Sequence, residues 1–216
     1  MFAPLSLLLL AATLAPTDAA TKPVGPGAVF SPPAGFVETT HRACDGKSGD
    51  AFDECFVGQM QRAGASDAAV AFTRRTGNLG YLRNFRNDGL AGVAWADFPF
   101  RANENSVVYL VNALPPMIDV DDLVLLSPAT LERNADWAKL AKAYPKLAIF
   151  PGDRFHESAV VAAPRPGGGQ RFEVEYVLVD GCHACARLGT LRLGFDFDGE
   201  AKYLGVVVVA VHPNTP

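Results

Sequence analysis

The sequence is poor in several features that would assign it quickly. It has only 4 cysteines, 4 histidines, 3 methionines and 2 tryptophans in 216 residues. No Gly-x-Ser-x-Gly elbow, phosphate-binding glycine loop or Rossmann glycine fingerprint occurs, so no common catalytic or nucleotide motif is available. Beyond the first twenty residues no run is long and apolar enough to span a bilayer, which takes ~20 residues. There is no internal repeat. Charge of one sign is also lacking: 19 basic residues face 23 acidic ones, a formal net charge of −4. That balance excludes nucleic acid or an anionic membrane as the main partner. Nothing in the chain implies a cofactor or a metal.

What is present begins with a leader. The apolar run from Leu5 to Ala15 is too short to span and ends at Pro16, with small residues at Ala19 and Ala20. This reads as a signal peptide over 1–20, cut after Ala19 or Ala20. Its usual Lys or Arg before the apolar run is missing, the first basic residue being Lys22. No Cys follows the run, so no lipid anchor is expected. The chain is therefore read as exported, periplasmic or extracellular. Without Asp18 the balance is 19 basic to 22 acidic residues.

Gly and Pro together supply 36 residues, which favours many short elements joined by turns. Residues 21–40 read as a Pro/Gly-rich extended arm on the surface. Residues 41–216 read as one α+β domain. A helix is expected from Asp50, as its own N-cap, with Phe52, Cys55, Phe56 and Met60 on one stripe. Ser66 opens a second, with Ala69, Val70 and Phe72 inward. Arg62, Arg74, Arg75, Arg83 and Arg86 are interleaved with aromatics and read as a solvated helix face, or less often an anion site. Strands are expected at Leu90–Ala96, Ser106–Asn112 and Leu147–Phe150. Helix starts are expected at Ser127-Pro128 and around Trp137, Leu140 and Tyr144. Asp119, Asp121 and Asp122 resemble a piece of a calcium loop but lack its glycine and distal Glu, so they read as an acidic helix start. Pro164–Gly169 reads as a flexible loop. His41, His156 and His212 form no motif.

The last fifty residues carry the clearest pattern. Phe172, Val174, Tyr176 and Leu178 alternate with more polar neighbours, as do Leu191, Leu193, Phe195 and Phe197. Tyr203–Val211 is apolar on both faces and reads as covered on both sides. Asp198-Gly199 marks a hairpin. The expectation is a three-strand meander, with helices from the N-terminal half packed on an antiparallel sheet.

Four cysteines in an exported chain read as two disulfides, and the local pairing 44–55 with 182–185 is favoured of the three. The Cys182-His183-Ala184-Cys185 turn then has four readings. It is a staple across a hairpin, or a rigid binding tip presenting His183 with Arg187 nearby, because a clamped loop loses little entropy on docking. A redox site would need a helix after the motif to lower the thiol pKa, and a strand follows. Half a zinc site is present and the other half is missing.

The order strand, Cys-clamped loop with an internal His, strand, tight turn, strand resembles the periplasmic inhibitors of vertebrate-type lysozyme. In that family the clamped loop enters the lysozyme cleft and its His meets the catalytic carboxylates. The resemblance implies such a role for Cys182, His183 and Cys185 alone, and the family's loop has four residues between its cysteines where this one has two. The segments Ala71–Arg75, Pro99–Asn105 and Gly181–Ala186 also resemble a family of uncharacterised exported bacterial proteins. The leading functional expectation is a non-enzymatic binding or inhibitor module acting on another exported protein. A thiol–disulfide oxidoreductase using Cys182 and Cys185, or a purely structural envelope protein, are the alternatives.

Overall fold

The computed structural model describes residues 22–77, 79–152, 154 and 159–214. The signal-peptide reading, and His156, lie outside the described residues. Helices α1 (Phe36–Ala43), α2 (Asp50–Arg62) and α3 (Asp67–Arg75) come first. Strands β1 (Tyr81–Asn87), β2 (Gly92–Asp97), β3 (Ser106–Val111) and β4 (Met117–Asp119) follow and pair in that order, all antiparallel. Two helices, α4 (Pro128–Glu132) and α5 (Ala135–Ala143), separate this sheet from a second one. The second sheet holds β5 (Leu147–Pro151), β6 (Val160–Pro164), β7 (Gln170–Asp180), β8 (Arg187–Phe197) and β9 (Tyr203–Pro213). Its order is β5-β7-β8-β9, with β6 paired to the other half of β7. The fold is α+β with antiparallel sheets.

Period-two alternation in β2 and β3 builds two cores at once. Val93, Trp95, Val108 and Leu110 point to the second sheet and meet Phe172, Val174, Tyr176, Leu193, Phe195 and Phe197 in one apolar cluster. Ala94, Ala96, Val107, Tyr109 and Val111 point the other way, onto Phe72 of α3 and onto Val24 and Ala28. The result is a helical layer, a four-stranded sheet and a five-stranded sheet. Leu140 of α5, with Trp137 and Leu131 half-buried beside it, joins the inter-sheet core. Two β-sheets stacked on each other were not expected from the sequence, where one sheet was foreseen. Ser66, Ser127 and Asn134 each accept a backbone N–H at their helix start, as N-caps do.

Several expectations need correction. The arm does not lie on the surface: Val24, Ala28 and Phe30 are buried, and the helix α1 takes over from Phe36. Gly49, not Asp50, precedes α2, and no side chain caps it. Arg83 and Arg86 lie on strand β1 and not on a helix face, and the strand's alternation is obscured because Arg and Asn are mixed with aromatics there. Three of the five arginines in the basic stretch carry carboxylate partners. Arg74 pairs with Glu54 at 2.5 Å, Arg83 with Asp97 at 3.1 Å and Arg86 with Asp88 at 2.6 Å. The Pro164–Gly169 loop is a tight hairpin between β6 and β7, closed by Arg165 N–H to Gly169 O at 3.2 Å. Strand β9 is half-buried along most of its length and not covered on both faces, and it forms an edge of its sheet. No helix among the described residues is long and apolar enough to cross a membrane.

Candidate functional site

The clamped turn occupies 181–186, between β7 and β8. Gly181 opens it at φ +89°, a left-handed conformation that glycine adopts without a Cβ penalty. Cys185 N–H donates to Cys182 O at 2.9 Å, and Asp180 N–H donates to Ala186 O at 3.1 Å. The Cys182–Cys185 disulfide spans 5.0 Å between Cα atoms, inside the range that a bridge accepts. The second disulfide joins Cys44 to Cys55 over 5.8 Å, so both favoured pairings are present. Strand β8 starts at Arg187, so no helix N-terminus follows the turn. Both sulfurs being bridged, they offer no thiolate pair to a metal.

His183 is exposed but not free-standing. Its ring packs edge-on against Phe150 of β5, with centroids 5.3 Å apart. It lines a cleft of about 480 Å³ together with Val177, Pro151, Gly152, Arg154, Glu104 and Asn105 of the β2–β3 loop, and Ser106 at the start of β3. The cleft therefore draws on both sheets. Arg187 does not line it. That side chain is exposed at the start of β8, and its backbone carbonyl accepts from the Asn214 side chain at 2.7 Å. The expected pair His183 and Arg187 is thus not brought together around this cleft.

The cleft floor rests on a buried ion pair. Arg154 is 3 % exposed and its Nη2 lies 2.8 Å from Asp121 Oδ1, with Nε 3.2 Å from the same oxygen. Its Nη1 donates to Glu175 O at 2.8 Å, and the guanidinium lies 4.8 Å above the Tyr176 ring. Tyr176 OH in turn donates to Val120 O, tying β7 to the chain after β4. Gly152 makes this approach feasible, because a Cβ there would stand 2.8 Å from Glu175 O. Arg83 reaches from β1 to donate to Arg154 O at 3.3 Å, and Asp97 accepts from Ser106 Oγ at 2.9 Å. Asn105 spends its side-chain amide on Phe98 O and Arg101 O. Most of the polar lining is therefore committed to internal bonds. Glu104 is exposed and makes no hydrogen bond or ion pair among the described residues. It sits at φ +53°, a region that a residue with a Cβ rarely adopts.

The acidic triplet splits into three separate tasks. Asp122 accepts from Val124 N–H at 3.1 Å and starts a short 3-10 turn, as an acidic start should. Asp121 holds Arg154. Asp119 ends β4 and accepts from Asp121 N–H at 2.9 Å. Burial pushes the Asp119 carboxyl up to about 6, and the neighbouring Asp121 and Asp122 charges push the same way. Only the Asp122 part matches the expected acidic helix start. No group of three or more His, Cys, Asp or Glu among the described residues is placed to hold a metal ion.

Sequence reasoning missed Arg154, Gly152 and Val177. A single Arg in a polar stretch after Pro151-Gly152 carries no signal of burial. Comparison with known proteins found no matching family model, no matching curated protein and no matching solved structure.

Proposed function

We propose that this chain is an exported, non-enzymatic binding module, and that its site is the cleft at whose rim the Cys182–Cys185 turn holds His183. One observation carries the reading: a disulfide-clamped His lines a cleft whose other polar side chains are largely engaged internally. Such a site is rigid before its ligand arrives, so little entropy is lost on docking. Glu104 and His183 supply hydrogen bonding, and Val177 and Pro151 supply apolar contact. These suit a protruding peptide segment of another exported protein, with a donor or cationic group facing Glu104. Two disulfides favour an oxidising compartment. Because His183 packs on Phe150 at the cleft rim, a receiving cleft fits better than insertion of the turn into a partner, the mode of the lysozyme inhibitors.

The test uses immobilised wild-type chain, His183→Ala and Glu104→Gln, each exposed to the exported-protein fraction and to vertebrate-type lysozyme. Wild-type capture of a defined partner, weakened at least tenfold by each variant, is expected. Unchanged capture by both variants sinks the cleft as the contact. Lysozyme inhibition abolished by His183→Ala would instead favour the inhibitor mode.

A further inference from the structure

We propose that the Cys182–Cys185 disulfide is a thiol–disulfide exchange site for an external dithiol protein, which reduces it while Cys44–Cys55 stays closed. The two bridges differ in access. Cys44 is fully buried at the end of α1, and its partner Cys55 on α2 is half-buried. Every residue from 181 to 187 is exposed, both bridged cysteines included. Exchange requires a thiolate to reach a disulfide sulfur, so both sulfurs of the turn are open to attack without any unfolding, whereas the N-terminal bridge offers only the half-buried Cys55.

The fold also tolerates opening of the turn. The β7–β8 ladder runs from Gln170 opposite Phe197 to Val179 opposite Arg187, and Asp180 N–H still reaches Ala186 O. A four-residue loop constrains the unfolded chain less than the twelve-residue loop of Cys44–Cys55. Among the described residues a strand, and no helix N-terminus, follows the turn, so the turn is the substrate of exchange and not its catalyst. In the reaction, a thiolate of the partner dithiol attacks one Sγ. The S–S bond breaks and the other Sγ leaves as a thiolate and takes up a proton. The partner's second thiol then resolves the mixed disulfide. Two electrons and two protons pass to the turn, and the partner dithiol is oxidised to its own disulfide.

Inside the bridge the backbone bond from Cys185 N–H to Cys182 O also closes the turn, and the Phe150 ring packs against His183. Reduction therefore loosens His183 at the rim of the cleft, a consequence that rests on the binding reading above. The test incubates the folded, oxidised chain with a reduced Cys-x-x-Cys protein of the thioredoxin type, and separately with dithiothreitol. Alkylation and peptide mass spectrometry then follow each cysteine pair. Labelling of Cys182 and Cys185 at least tenfold faster than Cys44 and Cys55, with far-UV circular dichroism unchanged, is expected. Equal rates, or earlier labelling of Cys44 and Cys55, overturn the proposal. The His183 ring resonances should shift on reduction and match those of Cys182→Ser/Cys185→Ser. Unshifted resonances overturn the link to the cleft. The labelling needs no cleft ligand, so failure of the binding reading leaves it standing.

Discussion

Removing the Arg154 side chain is the sharpest perturbation of this molecule. Arg154→Met keeps an apolar side chain of similar length and deletes the guanidinium, with its place over the Tyr176 ring. The Asp121 carboxylate, 10 % exposed, then loses its cation, and Glu175 O loses its donor. Breaking a buried pair from one side costs about 3–5 kcal/mol, because an uncompensated charge is left behind. For a domain of this size that lowers the melting temperature by roughly 6–20 °C. Adding Asp121→Leu removes the stranded charge. What remains is chiefly the unpartnered Glu175 carbonyl, about 1 kcal/mol. The double variant should therefore be more stable than Arg154→Met alone by about 2–4 kcal/mol, and far less destabilised than the sum of the two singles.

The measurement is urea unfolding with both disulfides kept oxidised, followed by tryptophan fluorescence and far-UV circular dichroism together, so that a single transition can be verified. Arg154→Met shifting stability by less than about 1 kcal/mol would mean that water reaches the pair, as it does at surface bridges. A double variant as unstable as the sum of its singles would mean that no coupling exists. Either result refutes the pair as the floor of the cleft.

Asp119 gives a pH-dependent prediction. Its carboxyl titrates at about 6 in the fold against about 3.8 unfolded, so the folded state binds the proton more tightly. The contribution is fully present below pH ~4 and is lost as pH rises through ~6. Asp119→Asn removes that loss, so it should gain up to ~3 kcal/mol over wild type at pH 7.5 and little at pH 3.5, by urea unfolding. An equal difference at both pH values would refute it. The two bridges give a second comparison. Chain entropy predicts a loss of ~2 kcal/mol for Cys182→Ala/Cys185→Ala and ~3 kcal/mol for Cys44→Ala/Cys55→Ala. Burial of Cys44 adds a cavity cost to the latter, so the N-terminal pair should be clearly the more damaging in the same assay. The reverse order would refute the view that the C-terminal turn is held by its strands.

The legible parts of this fold are those where one face of an element meets one environment. Phe172, Val174, Tyr176 and Leu178 alternate cleanly and are all buried, so the meander can be read directly. The α2 stripe of Phe56 and Met60 reads equally well. Legibility fails where both faces are used. In β1, Tyr81 and Leu82 are buried against different clusters while Arg83 and Arg86 leave the apolar layers through ion pairs. Their spacing therefore fits no amphipathic template. The buried arm fails for a related reason. Val24, Ala28 and Phe30 have no periodicity of their own and are drawn in by a sheet face and helices that fold elsewhere in the chain.

The site divides along the same line. The turn is local chemistry: four residues, one glycine before them and a strand on each side, all visible in sequence order. The cleft is not local. It exists because Arg154 follows a glycine that can approach Glu175, and because Asp121, 33 residues earlier, supplies the counter-charge. Neither residue is distinctive alone, and an Arg buried with an Asp looks in sequence like any two surface charges. This is why His183 can be singled out from the sequence while the residues that line the cleft beside it cannot. Nearness along the chain, four residues, places Arg187 at the base of β8. Nearness in space goes instead to Phe150, which the pairing of β5 with β7 sets against His183, while Arg154 lines the same cleft.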